Sequence, residues 1–106
     1  MTVNEFLVKT MPEAVYLDYG PVQLDERPWV VSNDGFVFSI QAGAIYGCEP
    51  REDFLLEYTE VEVIIPTGTI VSNCFSDYNG PMMVYCNVPV ELVEKMIFEH
   101  GGIKET

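Results

Sequence analysis

The stretch WVVSNDGFVFSIQA, residues 29–42, predicts a β-hairpin. Apolar and β-branched residues flank the Asn-Asp-Gly turn at 33–35, and an Asp-Gly pair tolerates the positive φ angles that tight hairpin turns require. Phe36, Phe38 and Ile40 alternate along the second strand, so we expect them to share its buried face. The hairpin therefore predicts the start of an antiparallel sheet.

Two further strands are predicted downstream of the hairpin. YTEVEVII, residues 58–65, alternates with period two, and Pro66 ends the run. This pattern places two sets of side chains on opposite faces, Thr59, Val61, Val63 and Ile65 towards the core and Tyr58, Glu60, Glu62 and Ile64 on the other side. After a turn-rich stretch at 67–81, MMVYCNV at 82–88 predicts another strand, with Cys86 in the core.

An amphipathic helix is predicted at the C-terminal end of the chain. Pro89 is acceptable in the first turn of a helix, and His100 with Gly101 marks the exit. The apolar stripe between these signals consists of Val90, Val93, Met96 and Ile97.

The first third of the chain gives weaker signals. Thr2 and Glu5 form a capping-box pattern that predicts a short opening helix, although alternation over residues 6–10 leaves a strand open. Residues 13–28, EAVYLDYGPVQLDERP, mix tyrosines, acids and prolines without a sustained period. We interpret them as an irregular element around a turn at 19–21.

These elements together predict an α+β fold. An antiparallel sheet of about four strands would pack against the C-terminal helix, because that helix cannot bury its apolar stripe alone. A chain of 106 residues fits a single domain, residues 1–106. We expect no signal peptide or membrane span. The 3 cysteines are odd in number, which favours a reducing compartment such as the cytoplasm.

The charge balance narrows the class of partner. The chain has 17 acidic residues against 5 lysines and arginines, for a net charge of −12. Such a chain repels DNA, RNA and anionic lipid, so we expect no direct binding to nucleic acid or membrane. A cationic protein partner is favoured, and simple solubility explains the charge equally well.

The acidic residues concentrate in EPREDFLLEYTEVEV, residues 49–63. We interpret this segment as a partner-binding surface with Tyr58 as its anchor, because interfaces are enriched in amphipathic aromatic side chains. A role for Tyr58 in packing across the sheet is equally compatible with the pattern. The predicted binding residues are Glu49, Glu52, Asp53, Glu57, Tyr58, Glu60 and Glu62.

Catalytic and metal chemistry have less support in the sequence. Glu60 and Glu62 would be neighbours on one strand face, but an acid–base pair needs a desolvating cleft, and we expect both to be exposed. No two of the potential zinc ligands have the usual close spacing, these being Cys48, Cys74, Cys86 and His100. We predict no catalytic residue, metal or cofactor. An enzyme that uses Cys48 stays open as a third hypothesis.

Arg51 has two interpretations. Because Glu49, Glu52 and Asp53 surround it, the simplest is that ion pairs with these carboxylates tie the loop together. Alternatively, Arg51 and Tyr46 line a pocket for a small ligand such as a nucleotide signal, with the second copy in a homodimer supplying the other wall.

Four motifs give the chain a resemblance to a family of short phage and prophage proteins. They are SIQA at 39–42, Tyr46 followed by Pro50-Arg51, VEV at 61–63 followed by Pro66, and VPVE at 88–91 followed by HGG at 100–102. The resemblance covers residues 36–103 and departs from the family pattern after VEV. It implies an accessory phage protein, and small acidic phage proteins resemble inhibitors of host defence. It implies no catalytic or ligand-binding residue.

The leading hypothesis combines the charge with this resemblance. The chain would be a non-enzymatic anti-defence inhibitor, of the anti-CRISPR or anti-restriction kind, in the host bacterial cytoplasm. Its carboxylates would imitate the phosphates of DNA and occupy the basic groove of a host nucleic-acid-binding protein. The alternative is a protein that sequesters a nucleotide signal.

Overall fold

Two helices and six strands form the part of the chain that the structure, a computed structural model, describes, namely residues 1–66 and 84–105. The elements are α1 (Val3–Lys9), β1 (Val15–Leu17), β2 (Gly20–Val22), β3 (Val30–Val31), β4 (Val37–Gln41), β5 (Glu60–Ile64), β6 (Val84–Pro89) and α2 (Val90–Glu99). One antiparallel sheet has the strand order β3-β4-β5-β6, and β1 pairs with β2 in a second antiparallel sheet. The predicted α+β fold is confirmed. The predicted turn-rich stretch at 67–81, with Cys74, and residues 82–83 of the predicted last strand lie outside the described residues.

The hairpin of β3 and β4 forms where the sequence predicts it. The Ser32 N–H donates to the Phe36 carbonyl at 2.8 Å, and Gly35 takes a φ of 93° in the turn. Phe38 and Ile40 are fully buried, as predicted, and Phe36 is half-buried. The polar residues Ser39 and Gln41 are buried as well, so β4 is covered on both faces.

Strand β5 lies at the centre of the core, between β4 and β6. Val61, Val63 and Ile65 are at most 1% exposed, which confirms the predicted alternation from residue 61 onward. Val63 pairs with Ile40 of β4 and with Tyr85 of β6. The alternation arises because successive side chains of a strand point to opposite faces of the sheet, and one face of β5 covers the core.

The predicted burial pattern of β6 is wrong. Tyr85 and Val88 are buried, whereas Cys86 is half-exposed. The pairing with β5 shifts register between Val61 and Val63, and Asn87 has a φ of 54°. A bulge inserts an extra residue into one strand, so residues an odd number of positions apart can face the same side.

The predicted helices form at both ends of the chain. Helix α1 has the predicted capping box, in which the Thr2 hydroxyl accepts from the Glu5 N–H at 3.1 Å and the Glu5 carboxylate accepts from the Thr2 N–H at 3.0 Å. The strand alternative for this segment is thereby wrong. Helix α2 buries Val93, Met96 and Ile97 against the sheet and ends at His100, as predicted. A Glu94 carboxylate of α2 accepts a hydrogen bond from the Val3 N–H and so joins the two helices.

Residues 13–28 differ from the prediction of an irregular element. β1 and β2 pair through Val15 with Val22 and Tyr16 with Pro21, and the turn lies at Asp18-Tyr19. Each strand has three residues, too few for alternation to stand out in the sequence. We refer to residues 15–22 as the β1–β2 hairpin.

The chain segment after α2 is hydrogen-bonded to β3 and to the β3–β4 turn. Asn33 donates its backbone N–H to the Gly102 carbonyl at 2.9 Å, and Lys104 donates to the Val31 carbonyl at 2.7 Å. His100 Nδ1 lies 2.7 Å from Asp34 Oδ2, and its ring stacks on Phe36 with centroids 4.1 Å apart. Among the described residues, no helix is long and apolar enough to cross a membrane.

Candidate acidic binding surface

The acidic segment is built around a backbone pairing between its two ends. Glu49 and Glu60 face each other in an isolated antiparallel bridge, and the Glu49 N–H donates to the Glu60 carbonyl at 3.0 Å. The Thr59 N–H returns a bond to the Glu49 carbonyl at 2.8 Å. Two like charges directly opposite each other destabilise a strand pair. The backbone pairing therefore places Glu49 and Glu60 opposite each other.

Four carboxylates of the segment have no hydrogen-bond or ion-pair partner for their side chains among residues 1–66 and 84–105. Glu49, Glu52 and Glu57 are exposed and Glu60 is half-buried. Within residues 1–66 and 84–105, no lysine or arginine nitrogen lies within 4.0 Å of a carboxylate oxygen, and the ion pair found there joins His100 to Asp34. We call Glu49, Glu52, Glu57 and Glu60 the acidic surface. Its negative charge is not neutralised by a neighbouring cation in this part of the structure.

The other two predicted carboxylates have structural roles. Asp53 accepts hydrogen bonds from the Ala44 N–H at 2.8 Å and from the Gln23 N–H at 3.1 Å. Glu62 accepts one from the Gly47 N–H at 3.2 Å. Both side chains are half-buried and fix neighbouring loops. Their charge is therefore partly satisfied by backbone amides.

Tyr58 does not lie on the surface, so its predicted role as an exposed anchor is wrong. It is 1% exposed, and its hydroxyl donates to the Glu52 carbonyl at 2.6 Å. β5 begins at Glu60, and Tyr58 lies before the strand, where the alternation does not apply. The Asn4 side chain fixes the backbone there, because it accepts from the Tyr58 N–H at 2.9 Å and donates to the Tyr58 carbonyl at 3.1 Å.

Arg51 and Tyr46, the two residues of the alternative ligand site, differ in exposure to solvent. Arg51 is exposed and has no carboxylate within 4.0 Å among the described residues, so the predicted ion pairs with its neighbours do not form there. Tyr46 is 8% exposed, and burial raises the pKa of its hydroxyl. The described part of the chain contains no pocket. The hypothesis of a nucleotide-binding site gains no geometric support from these two residues.

The geometry of Cys48 does not favour nucleophilic chemistry. The thiol is 1% exposed and donates to the Gly43 carbonyl at 3.2 Å. Burial raises the pKa of Cys48, which keeps the thiol protonated and unreactive at neutral pH. Residues 1–66 and 84–105 contain no group of three His, Cys, Asp or Glu residues that could hold a metal ion.

A buried arginine is the main feature that sequence reasoning missed. Arg27 is 3% exposed, and its guanidinium donates to the Ala42 carbonyl at 2.6 Å and to the Leu7 carbonyl at 3.2 Å. Its backbone N–H donates to Gln41 Oε1 at 3.0 Å. Burial lowers the pKa of Arg27, and its Nη2 has no hydrogen-bond partner in the described residues. The sequence around Arg27 has no periodicity that could have revealed this network.

Because Arg27 is buried, it does not contribute a positive charge to the surface, and the exposed acidic residues outnumber the exposed basic residues more strongly. Of the 5 basic residues in the chain, Arg27 is the one whose charge is enclosed, while the acidic surface remains in contact with solvent.

Comparison of the chain with protein-family models, with curated proteins and with solved structures gives no match. The fold and site thus define an α+β protein that presents an unneutralised acidic surface.

Proposed function

We propose that this protein is a non-enzymatic inhibitor that binds a basic nucleic-acid-binding protein through the acidic surface. The observation that carries the proposal is that Glu49, Glu52 and Glu57 are all exposed within one short segment, without a lysine or arginine partner among the described residues. Carboxylates arranged in this way attract a groove that evolved to hold phosphates.

The proposed target is a host defence protein of the CRISPR or restriction type. This part of the proposal is supported by the resemblance to phage accessory proteins, through motifs such as SIQA at 39–42 and VPVE at 88–91. It is also supported by the net charge of −12, which opposes direct contact with DNA or RNA. An acidic protein that occupies a basic groove would prevent nucleic acid from entering it.

The acidic surface would act mainly on the rate and specificity of association. Each exposed ion pair contributes at most about 1 kcal/mol, and salt screens it. Complementary charge raises the association rate and excludes partners with the wrong charge. An interface of useful affinity would therefore also need an apolar contact.

The proposal is tested with two variants of equal charge. One carries Glu49→Gln, Glu52→Gln and Glu57→Gln in the acidic surface. The control carries Glu91→Gln, Glu99→Gln and Glu105→Gln, three exposed positions whose carboxylates have no hydrogen-bond partner in the described part of the chain. Wild type and both variants are immobilised and exposed to host lysate at about 50 mM and about 500 mM salt, and retained proteins are identified by mass spectrometry.

We expect wild type and the control to retain the same nucleic-acid-binding protein at low salt and to release it at high salt. The acidic-surface variant should lose it, and added DNA should compete for it. Equal retention by the two variants would show that the acidic surface has no specific role. A retained protein with no nucleic-acid-binding activity would contradict the proposed target.

A further inference from the structure

The β1–β2 hairpin exposes apolar side chains on both of its faces. Its most exposed members are Tyr16 at 78% and Tyr19 at 80%, followed by Leu17 at 41% and Val15 at 36%. An isolated two-stranded hairpin is marginally stable in water because it has no buried face. Contiguous exposed apolar residues on a protein surface mark sites of interaction.

The base of the hairpin is firmly attached next to the acidic segment. Gln23 follows β2 directly, is 1% exposed and donates its side-chain amide to the Ala42 carbonyl at 2.9 Å. Its backbone N–H donates to Asp53, which belongs to the acidic segment. The end of the hairpin is therefore bonded to Asp53, which directly follows Glu52 of the acidic surface.

Within residues 1–66 and 84–105, β1 has no partner strand along the edge that faces away from β2. Tyr16 faces Pro21 across the two strands, and proline has no N–H to donate. The pair therefore cannot exchange hydrogen bonds, so the N–H and C=O of Tyr16 point away from β2. Pro21 likewise removes a donor from the outer edge of β2. The edge of β1 is the one that can accept a partner strand.

The charge around the hairpin restricts what can cover it. Residues 13–26 contain four acids and no lysine or arginine, the acids being Glu13, Asp18, Asp25 and Glu26. A second copy docked on this hairpin would bring eight carboxylates together, and an anionic lipid surface would be repelled. The complementary partner has an apolar groove rimmed by lysine or arginine.

We propose that the β1–β2 hairpin is the apolar docking element for the same basic protein that the acidic surface binds. Tyr16 and Tyr19 enter an apolar groove of that partner, whose basic rim meets the surrounding carboxylates. This inference rests on the proposed function, and it supplies the aromatic contact that the buried Tyr58 does not provide. Tyrosine suits the position because it buries a large area at a low cost in side-chain entropy.

The inference is tested by removing the two tyrosines without changing charge. The test variant carries Tyr16→Ser and Tyr19→Ser, and the matched control carries Phe98→Ser, which removes an aromatic side chain that is 85% exposed on α2. The probe is the nucleic-acid-binding protein that the wild type retains, purified and titrated against each variant. Analytical ultracentrifugation of wild type and test variant measures self-association.

We expect the tyrosine variant to bind at least about tenfold more weakly, as is typical of the loss of aromatic anchors, and Phe98→Ser to bind like wild type. If the tyrosine variant binds normally while the acidic-surface variant does not, the hairpin inference is wrong and the proposed function stands. If the tyrosine variant binds weakly while the acidic-surface variant binds normally, the role of the acidic surface is wrong and the hairpin inference stands. A wild-type dimer that Tyr16→Ser and Tyr19→Ser dissociate would make a second copy the occupant and overturn the inference. A wild type that retains no nucleic-acid-binding protein overturns both proposals.

Discussion

Two segments of similar composition end in opposite environments in this protein. Residues 13–28 and residues 49–63 both mix acids with aromatic and aliphatic residues. In the first, Tyr16 and Tyr19 face solvent, whereas in the second Tyr58 is buried in the core. The difference lies in what each backbone pairs with. The backbone of the second segment is hydrogen-bonded to Asn4 of helix α1 at Tyr58, in addition to the pairing of Glu49 with Glu60. Strands β1 and β2 of the first segment pair with each other.

Local composition therefore does not decide whether a tyrosine is buried. A tyrosine next to a strand of the central sheet is drawn inward, because Asn4 positions its backbone and the core offers apolar contact. A tyrosine on a two-stranded hairpin has no core to enter. The acidic surface thus lies on a segment that is bonded to the core, and the exposed aromatic side chains lie on the β1–β2 hairpin.

The largest expected effect comes from truncating the buried tyrosine. Tyr58→Ala should lower the free energy of unfolding by about 3–5 kcal/mol, since it removes a large buried aromatic side chain and leaves a cavity. Tyr16→Ala should change it by less than about 0.5 kcal/mol, because the side chain is already in water. Urea denaturation of both variants checks the contrast. Similar losses at the two positions would remove the distinction between the two segments.

Hydrogen exchange gives the next largest contrast. Amide protons of β5, such as those of Val61 and Val63, should be protected to near the global free energy of unfolding. Those of Val15 and Leu17 in the β1–β2 hairpin should exchange at least about a hundredfold faster, because opening the hairpin disturbs no core contact. Native-state exchange followed by NMR measures both. Equal protection would mean that the hairpin is part of the cooperative core.

Asn4→Ala should have an intermediate effect that is specific to the acidic segment. The variant leaves both backbone groups of Tyr58 without their partner, which costs about 1–3 kcal/mol. Asn4→Asp is the informative companion, because its carboxylate still accepts from the Tyr58 N–H but cannot donate to the Tyr58 carbonyl. It should recover part of the loss in thermal denaturation. A neutral Asn4→Ala would show that the buried position of Tyr58 does not depend on this contact.

The smallest effect concerns the contact between the β3–β4 turn and the end of α2. The Phe36 N–H, which donates to Asp34, and then His100 lower the pKa of the Asp34 carboxyl. A carboxyl with a lowered pKa in the folded state stabilises the protein above its ordinary pKa of about 3.9, and that contribution is lost as pH falls through the folded value. An NMR titration should therefore find an Asp34 midpoint below about 3.9.

Two variants check this titration. His100→Gln should move the Asp34 midpoint upward, because the contact between the His100 ring and the carboxylate is removed while the Phe36 N–H remains. Asp34→Asn should lessen the loss of stability below about pH 4, relative to wild type. An Asp34 midpoint at the ordinary value in wild type would show that neither contact holds the carboxylate in solution.

Sequence reasoning succeeded where one strong local signal matched the tertiary structure. The Asp-Gly turn, the alternation of Val61 and Val63 and the apolar stripe of α2 all led to the observed elements. It failed at Cys86, because a bulge in β6 changes the face that each residue occupies. It also missed the β1–β2 hairpin, whose strands have three residues each. Among the predicted site residues, Glu49, Glu52 and Glu57 are exposed as expected, and Tyr58 is not.

The sequence by itself determined the fold class, the excess of negative charge, the start of α1 and the exit of α2, because these depend on composition, periodicity and capping within a few residues. Only the tertiary structure decided which carboxylates remain free, where the tyrosines lie and that Arg27 is enclosed. Those outcomes depend on contacts between distant residues, such as Asn4 with Tyr58, Gln23 with Asp53 and Arg27 with Ala42. No local pattern encodes such contacts, since each partner is chosen by the packing of the whole chain.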